Sequence, residues 1–464
     1  LEQAMQRPPT FQVYFPDGSF APTLGGRRNP VAFAVLQKNE YKDYSANVYN
    51  YISFKITDDL KLTSDFNIRG RYNEHLSFTP TLIEGPEGGY DNAFDTYWMQ
   101  QNYLNYDKEF GSHTINAVLG MSAEKWVDRN MQIEGENYVT ESVLTTNAIQ
   151  DKSLADIYNH EVRHTLAGFF GRLGYNYKGK YILNATVRRD GSSRFGSENR
   201  WGTYPSASVG WRFNDESFMS WTNSFLQDGK LRASYGETGN ERIGNYASYG
   251  LISNSQYTFD GVNNTSGTTL NSGSPLNPAL RWETTSQYNL GVDVGLLRNR
   301  IIMNLDVYYK KTEDLLIKVN LPYYTGYTSG LSNIGSIENK GIEFTLDSRN
   351  MVGDFKWNSQ LNFSINRNNV LSLGEESDIL LTSSKPFGSV SEENYAIIRE
   401  GEPLGSLFGY VYAGVLQQGE QYAPQPNSVP GDPKFADING DGEITSADRT
   451  IIGNAHPKLS FGFT

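Results

Sequence analysis

Between residues 204 and 213 the chain alternates strictly: Ala207, Val209, Trp211 and Phe213 fall on one side of an extended segment, Ser206, Ser208, Gly210 and Arg212 on the other. Successive side chains of a strand point to opposite faces, so this segment has one apolar and one polar surface. The same division sets Tyr181, Leu183, Ala185 and Val187 against Ile182, Asn184, Thr186 and Arg188. Just upstream, in "AGFFGRLGYNYKGKY", Ala167, Phe169, Leu173, Tyr175 and Tyr177 oppose Gly168, Arg172, Gly174 and Asn176. The Lys178-Gly179 step between these two segments predicts a tight hairpin turn.

Comparable segments recur near 46–56, 60–72, 97–107, 113–123, 163–177, 180–190, 204–213, 229–237, 286–295, 300–310, 340–348 and 355–367, with weaker ones at 394–400 and 405–416. The chain ends inside another, "HPKLSFGFT". The links alternate in length. Those at "TDD" (57–59), "KEFGSH" (108–113), "KG" (178–179), "LLRN" (296–299) and "RNMVGD" (349–354) are short, and "NDESFMSWTNSFLQDG" is longer with room for a helical turn. Between them lie glycine-, asparagine- and serine-rich stretches at 73–96, 124–162, 190–203, 237–285, 311–339 and 368–393. Two-faced strands joined by alternately tight and long links predict an all-β fold: a transmembrane antiparallel up-and-down β-barrel with short periplasmic turns and long extracellular loops.

Composition agrees. Among 464 residues there are 30 Tyr, 24 Phe and 45 Gly but only 38% hydrophobic residues, so tyrosine and glycine take places that aliphatic residues fill in soluble cores. No apolar run approaches the roughly 18 residues of a membrane helix. Barrel strands need only about 9–11 residues of alternating character, and a mean hydropathy of −0.53 is nearly blind to them. The absence of cysteine removes disulfides, thiolate metal sites and cysteine nucleophiles. A net charge of −12 with no basic stripe argues against nucleic acid as a partner. The opening "LEQAMQRPPTFQVYFPDG" has no signal-peptide pattern and reads as the start of a mature or partial segment.

Aromatic residues gather near strand ends: Tyr49 and Tyr51, Tyr103 and Tyr106, Tyr175 and Tyr177, Tyr308 and Tyr309, Tyr323 and Tyr324. Girdles at the membrane-water boundary would use them so. Ordinary strand propensity for tyrosine is the other reading.

Several phrases carry a family resemblance: "RRDGSSRFGSENRWGTYPSASVGWRF", "LRASYGETGN", "LRWETTSQYNLGVDVGLLRNRIIMNLDVYYKKTEDLL", "NIGSIENKGIEFTL" and "PGDPKFADINGDGEITSADRTIIGNAHPKLSFGF". In order and spacing, across roughly residues 160–464, they resemble the barrel of SusC/RagA-type TonB-dependent transporters of Bacteroidota. "RPPTFQVYFPDGSF" and "GGRRNP" carry a looser likeness over residues 1–160. The resemblance implies an outer-membrane importer of oligosaccharides or peptides, not an enzyme, with a barrel of roughly 22 strands closed by an N-terminal plug. It also implies a SusD-like lipoprotein as lid and TonB pulling on an N-terminal box. On this reading residues 1–464 are part of the barrel domain, and the plug, the TonB box and the last strands lie outside the chain. A passive porin, or a secreted glycan-binding or glycan-active β protein, would share some of these features.

The loop "DGSSRFGSENRWGT" then falls on the extracellular side, opposite the Lys178-Gly179 turn. Arg194 and Arg200 either contact ligand or lid, or order the loop by pairing with Asp190, Glu198 or carbonyls while Gly191 and Gly196 set its turns. Outward residues Leu183, Val209, Trp211, Leu290, Val292, Phe344 and Leu346 are expected to meet outer-membrane lipid. Asn184, Asn289, Asp293, Asn304 and Asp306 are expected to line the lumen. Aromatic residues read as lying in loops, Tyr90, Trp98, Tyr257 and Tyr323, either stack on sugar rings or pack the loops against one another.

The segment "DINGDGEITSAD" places Asp437, Asn439, Asp441, Gly442, Glu443 and Asp448 at positions 1, 3, 5, 6, 7 and 12 of an EF-hand-like loop. Alternate oxygen donors around a glycine turn let a short segment wrap a hard cation, so a structural Ca²⁺, or Mg²⁺, is expected in this extracellular loop. Glu443 would contribute its carbonyl, and Asp448 reaches less far than the usual glutamate. A metal-free turn stabilised by Asp and Asn side chains is the alternative. Catalysis has little to stand on. The five histidines, His75, His113, His160, His164 and His456, include one i, i+4 pair, His160 and His164, which a strand would not converge as a helix would. Glu343 and Asp347 alternate with Gly341 and Thr345 as residues of a wetted lumen wall do.

Overall fold

The computed structural model describes residues 11–22, 28–83, 85–152, 155–258, 264–271, 275–374, 378–383 and 393–464. A short helix, α1 (Pro30–Leu36), is capped by Asn29, whose side chain accepts from the amides of Val31 and Ala32. Among the described residues the regular elements after it are strands and 3₁₀ turns: β1 (Lys38–Lys55), β2 (Leu60–Thr79), β3 (Glu87–Phe110), β4 (His113–Glu136), β5 (Asp156–Tyr177), β6 (Tyr181–Ser192), β7 (Trp201–Arg212) and β8 (Leu226–Asn240). There follow β9 (Ile252–Thr258), β10 (Asn264–Leu270), β11 (Glu283–Leu296), β12 (Ile301–Glu313), β13 (Leu316–Asn320), β14 (Ser329–Asn333), β15 (Ser336–Val352) and β16 (Lys356–Ser372). The last are β17 (Asp378–Ser383), β18 (Glu393–Arg399), β19 (Ser406–Gly409), β20 (Tyr412–Val415), β21 (Pro433–Phe435), β22 (Thr450–Asn454) and β23 (Ser460–Phe463).

A 13-stranded antiparallel sheet takes β1 to β8, β11, β12, β15, β16 and β23 in that order. Each large-sheet strand lies beside its predecessor, the order an up-and-down meander requires. Each of the twelve alternating segments supplies a strand of it, and "HPKLSFGFT" supplies the thirteenth strand, β23. No helix among the described residues is long and apolar enough to cross a membrane.

Two expectations are corrected. The strands run further on the long-link side than their alternation reaches: the connection expected at 73–96 shrinks to 80–86, and that at 124–162 shrinks to 137–155. Beyond the apolar band neither face of a strand meets lipid, so the hydrophobic period vanishes while the hydrogen-bonded ladder continues. Second, the weak strands at 394–400 and 405–416 are not barrel staves. They form β18, β19 and β20, which pair with β17, β22 and β21 in two small sheets within the connection from β16 to β23.

The chain folds as two compact units, one of Leu1–Asn105, Gly120–Phe169 and Gly191–Ser193, the other of Tyr106–Leu119, Phe170–Asp190 and Arg194–Thr464. Each has a small core among its described residues. In the first, Phe78, Tyr138 and Ile149 pack together with Leu144, Ala148 and Ala155. In the second, Phe195 and Leu280 are fully buried and Trp282 lies against both Phe195 and Tyr204, at ring distances of 5.2 and 5.8 Å. Gly239 and Gly202 leave room for Tyr204, since a Cβ on either would come within 2.0 Å of its hydroxyl.

Candidate functional site: a two-faced wall and its extracellular loops

The predicted hairpin at Lys178-Gly179 closes with both residues at positive φ (55° and 70°), and the Asn176 side chain accepts from the Gly179 amide at 2.9 Å. That turn sets the register of the wall on either side. From β11 to β16 the pairing stacks apolar side chains into outward rows: Val294, Met303, Leu346 and Leu361; then Val292, Leu305, Phe344 and Phe363; then Leu290, Val307, Ile342 and Ile365. Leu183 and Val209 join this surface beside Leu231 and Leu290. Leu183, Val209 and Leu290 are about half exposed, as side chains whose solvent is lipid must be. The next row, Tyr235, Tyr288, Tyr309, Lys340 and Arg367, ends the band, and above it stand Ser286, Lys311, Glu338 and Asn369. Amphipathic rings at the point where charge begins are the signature of a membrane-water boundary. Neighbouring tyrosines do not share that role: Tyr309 faces outward, whereas Tyr308 points inward and donates to Asn366 at 3.1 Å.

The three inward rows that face this band carry no aliphatic side chain. Asn289, Tyr308, Gly341 and Asn366 lie in one, Gly291, Asp306, Glu343 and Ser364 in the next, and Asp293, Asn304, Thr345 and Asn362 in the third. At their centre the Arg232 guanidinium binds Asp293 through two hydrogen bonds of 2.8 Å and Asp306 through one of 3.0 Å. Asn304 donates to Asp293 at 2.8 Å and accepts from Thr345. Gly291 stands opposite Arg232 in the ladder because any side chain there would collide: a Cβ would lie 2.6 Å from Asp306 Oδ1 and 2.7 Å from the guanidinium carbon. Asn184 donates to Ser208 at 3.3 Å, which places it on the same inward face.

The loop between β6 and β7 is held by residues of the connection from β8 to β11. Arg194 donates to Asn245 Oδ1 at 2.9 Å and to the Glu241 carbonyl at 3.1 Å, and Arg188 pairs with Asp190 at 2.7 Å. Phe195 anchors the loop in the small core, and the Arg200 carbonyl accepts from the Trp282 indole at 3.1 Å. Two of the aromatic residues assigned to loops are strand residues: Tyr90 and Trp98 both belong to β3. Tyr257 falls on β9, its side chain outside the described residues, and Tyr323 sits in an exposed turn. His160 and His164 share β5, where His164 stacks on Trp126 at 4.7 Å and its ring nitrogen meets Ser192 Oγ at 3.5 Å.

The segment from Asp437 to Asp448 lies between β21 and β22, in the connection on the long-link side. Its carboxylates hold its own backbone. Asp437 accepts from the amides of Gly440 (2.6 Å) and Gly442 (2.9 Å), and Asp441 accepts from Glu443 (2.9 Å). Asn439 links to Asp441 through both its amide nitrogen and its oxygen. Asp448, fully buried, accepts from Thr445 and Ile438 at 2.8 Å each and from Asn439 at 3.4 Å. As a donor set Asp437 and Asp441 suit a hard cation, since each of their carboxylate oxygens keeps a second lone pair, whereas Asp448 Oδ1 already accepts from two amides. The side chains are not converged: among the described residues no three acidic or histidine groups stand in metal-holding geometry.

Donation from the Thr445 amide, followed by those of Ile438 and Asn439, holds the Asp448 carboxyl below the usual aspartate value of 3.8 although burial pulls the other way. A depressed folded pKa means that the carboxylate's contribution is complete above 3.8 and is lost as pH falls through the lower folded value. The loop should therefore resist thermolysin at neutral pH and open to pepsin only in strongly acidic solution. Asp448→Asn should open it to thermolysin at neutral pH, because an amide nitrogen in place of one oxygen faces N–H groups. Equal protection of the variant would show that the carboxylate does not hold the loop.

A two-faced antiparallel meander with an aromatic boundary, a polar inward wall and elaborated links on one side defines an outer-membrane β-barrel. A sequence profile of the family described as TonB dependent receptor-like, beta-barrel matches residues 4–441, and the chain belongs to that family. It is 34% identical over 475 residues to TonB-dependent receptor P3 of Formosa agariphila, covering 100% of this chain and 47% of that protein. To TonB-dependent receptor SusC of Bacteroides thetaiotaomicron it is 31% identical over 472 residues, covering 97% and 44%. Among solved structures, the RagAB peptide importer in its closed-closed state superposes with a TM-score of 0.81 at 23% identity, over 97% of this chain and 49% of that one, a likeness of fold. The chain spans about half the length of the curated relatives it matches. The protein is an outer-membrane protein of the TonB-dependent, SusC-like class, and the secreted-protein reading falls with that membership.

Proposed function

We propose that this chain forms the wall of an outer-membrane importer for oligosaccharides or peptides, powered through TonB and covered by a SusD-like surface lipoprotein. The observation that carries the reading is the inward wall from β8 to β16, where amide, hydroxyl and paired charged groups alternate strictly with a lipid-facing apolar band. Such a wall offers donors and acceptors to solutes rich in hydroxyl or amide groups, and the SusC-like relatives support an energised transporter over a passive channel. The test is purification of the full-length protein from native outer membranes in mild detergent, with mass spectrometry of what comes with it. Recovery of a SusD-like lipoprotein and a retained oligosaccharide or peptide is the expected result. Recovery alone, with solute uptake that persists when TonB is deleted, would overturn it.

As part of the same reading, Asp437, Asn439, Asp441, the Glu443 carbonyl and Asp448 would hold a structural Ca²⁺ that stiffens an extracellular loop. The spacing of oxygen donors around Gly442 supports it. Calorimetric titration of the chelator-treated full-length protein with Ca²⁺ should show one saturable site that Asp437→Ala abolishes. Identical heats from both proteins would leave the loop as a turn held by its own side chains.

A further inference from the structure

The connection between β12 and β15 carries a hairpin, β13 and β14, whose tip presents two aromatic rings to water. Tyr323 and Tyr324 are 88% and 90% exposed, more than any other large apolar side chain among the described residues. Their support is well braced. Five residue pairs form the stalk, from Leu316 opposite Asn333 to Asn320 opposite Ser329. At the tip, the Leu321 amide donates to the Thr328 carbonyl at 3.0 Å. The Thr325 hydroxyl donates to the Pro322 carbonyl at 2.8 Å and accepts from the Tyr327 amide at 3.2 Å. Gly326 closes the turn at φ 80°, a conformation that favours glycine. At the base, Arg281 grips Asp314 through bonds of 3.0 and 2.6 Å, and the Asn333 amide donates to the carbonyls of Arg281 (2.7 Å) and Asp314 (2.9 Å).

Side chains held out on an ordered stalk carry a low entropic cost of docking, and tyrosine brings a large apolar face with a polar tip. From Val319 to Ile337 there is no charged residue, although a fifth of the chain is charged. The shape selects the kind of partner. Small solutes bind in concave sites that enclose most of their surface, and a pair of rings exposed almost all round encloses nothing. The concavity has to come from the partner, in the manner of an aromatic anchor entering a pocket across a protein interface.

We propose that the hairpin from Leu316 to Asn333 is a docking knob whose Tyr323 and Tyr324 enter an uncharged pocket of the surface lipoprotein that lids the transporter. This rests on the reading above that such a lipoprotein is present, and the experiment separates the two. The full-length protein is purified from native outer membranes as wild type, as Tyr323→Ala/Tyr324→Ala and as Tyr323→Phe/Tyr324→Phe, and the lipoprotein retained by each is quantified. A photo-crosslinking benzophenone amino acid at position 323 identifies what the tip touches. The alanine pair should retain the lipoprotein roughly tenfold less well or worse, the phenylalanine pair should keep most of it, and the crosslink should fall on the lipoprotein. Heat-modifiable electrophoretic migration of all three checks that the barrel is intact. If wild type brings no lipoprotein, the lidded-importer reading fails and the knob with it. If wild type brings it and the alanine pair retains as much, or the crosslink falls on glycan or lipid, the knob alone is overturned.

Discussion

Val209→Arg is expected to cost the folded barrel about 2–4 kcal/mol, the penalty of a lipid-facing arginine near the bilayer midplane, while Ser208→Arg one residue away should change stability by about 1 kcal/mol or less. Val209 is about half exposed in the apolar band beside Leu183, Ala233 and Leu290. Ser208 lies opposite Ser234 on the inward face and accepts from Asn184. A guanidinium at 208 meets water and polar groups, whereas at 209 it must snorkel past hydrocarbon to the boundary row at Tyr235 and Tyr288. Equilibrium unfolding of the full-length protein in lipid vesicles reads the difference. A larger loss at 208 than at 209 would mean that the register of β7 against β8 is wrong by one residue, since such a slip exchanges the two faces, and equal losses would mean that the two positions are not split between lipid and lumen.

Removing Arg232 is the second large effect. Its guanidinium is shared by Asp293 and Asp306, and the three side chains are 33%, 21% and 23% exposed. Breaking a fully buried pair costs about 3–5 kcal/mol, and partial solvent screening reduces this to about 1–3 kcal/mol for Arg232→Met. What is lost includes the repulsion that appears between two carboxylates on adjacent strands. Adding Asp293→Asn and Asp306→Asn to Arg232→Met should recover most of the stability, and that rescue distinguishes charge from packing. Gly291→Ala should mimic part of the loss without altering any charge, because its methyl group would occupy the space of the guanidinium. If Arg232→Met unfolds at the same denaturant concentration as wild type, the cluster is not structural.

Much of this was legible along the chain. Where a strand crosses lipid, hydrophobicity repeats every second residue, and that period located Leu290 and Val292 outward, Asn289 and Asp293 inward, with no tertiary information. The upper parts of β3 and β4 were hidden because neither of their faces meets lipid there and no period marks them. Tyr90 was misplaced into a loop for the same reason, whereas Trp98 already lay at the edge of the alternating segment 97–107. The strands β18 to β20 misled in the opposite way: short, partly apolar segments look like weak barrel strands, and only their partners reveal a small sheet inside a connection.

By itself the sequence determined the alternation, the hairpin at Lys178-Gly179, the sides on which tight and long links fall, and hence a barrel with a lipid face and a wet face. These are local properties, set by side chains two residues apart and by the backbone conformations that glycine and its neighbours permit. The tertiary structure decided which polar groups meet. That Arg232 bridges Asp293 and Asp306 through the gap at Gly291, and that Arg194 turns to Asn245 and Glu241, depend on pairings between residues far apart in the chain. So does the bracing of the Tyr323 hairpin by Arg281, Asp314 and Asn333. Partner choice across strands follows from register and from the space left by neighbouring side chains, and neither is a property of any single segment.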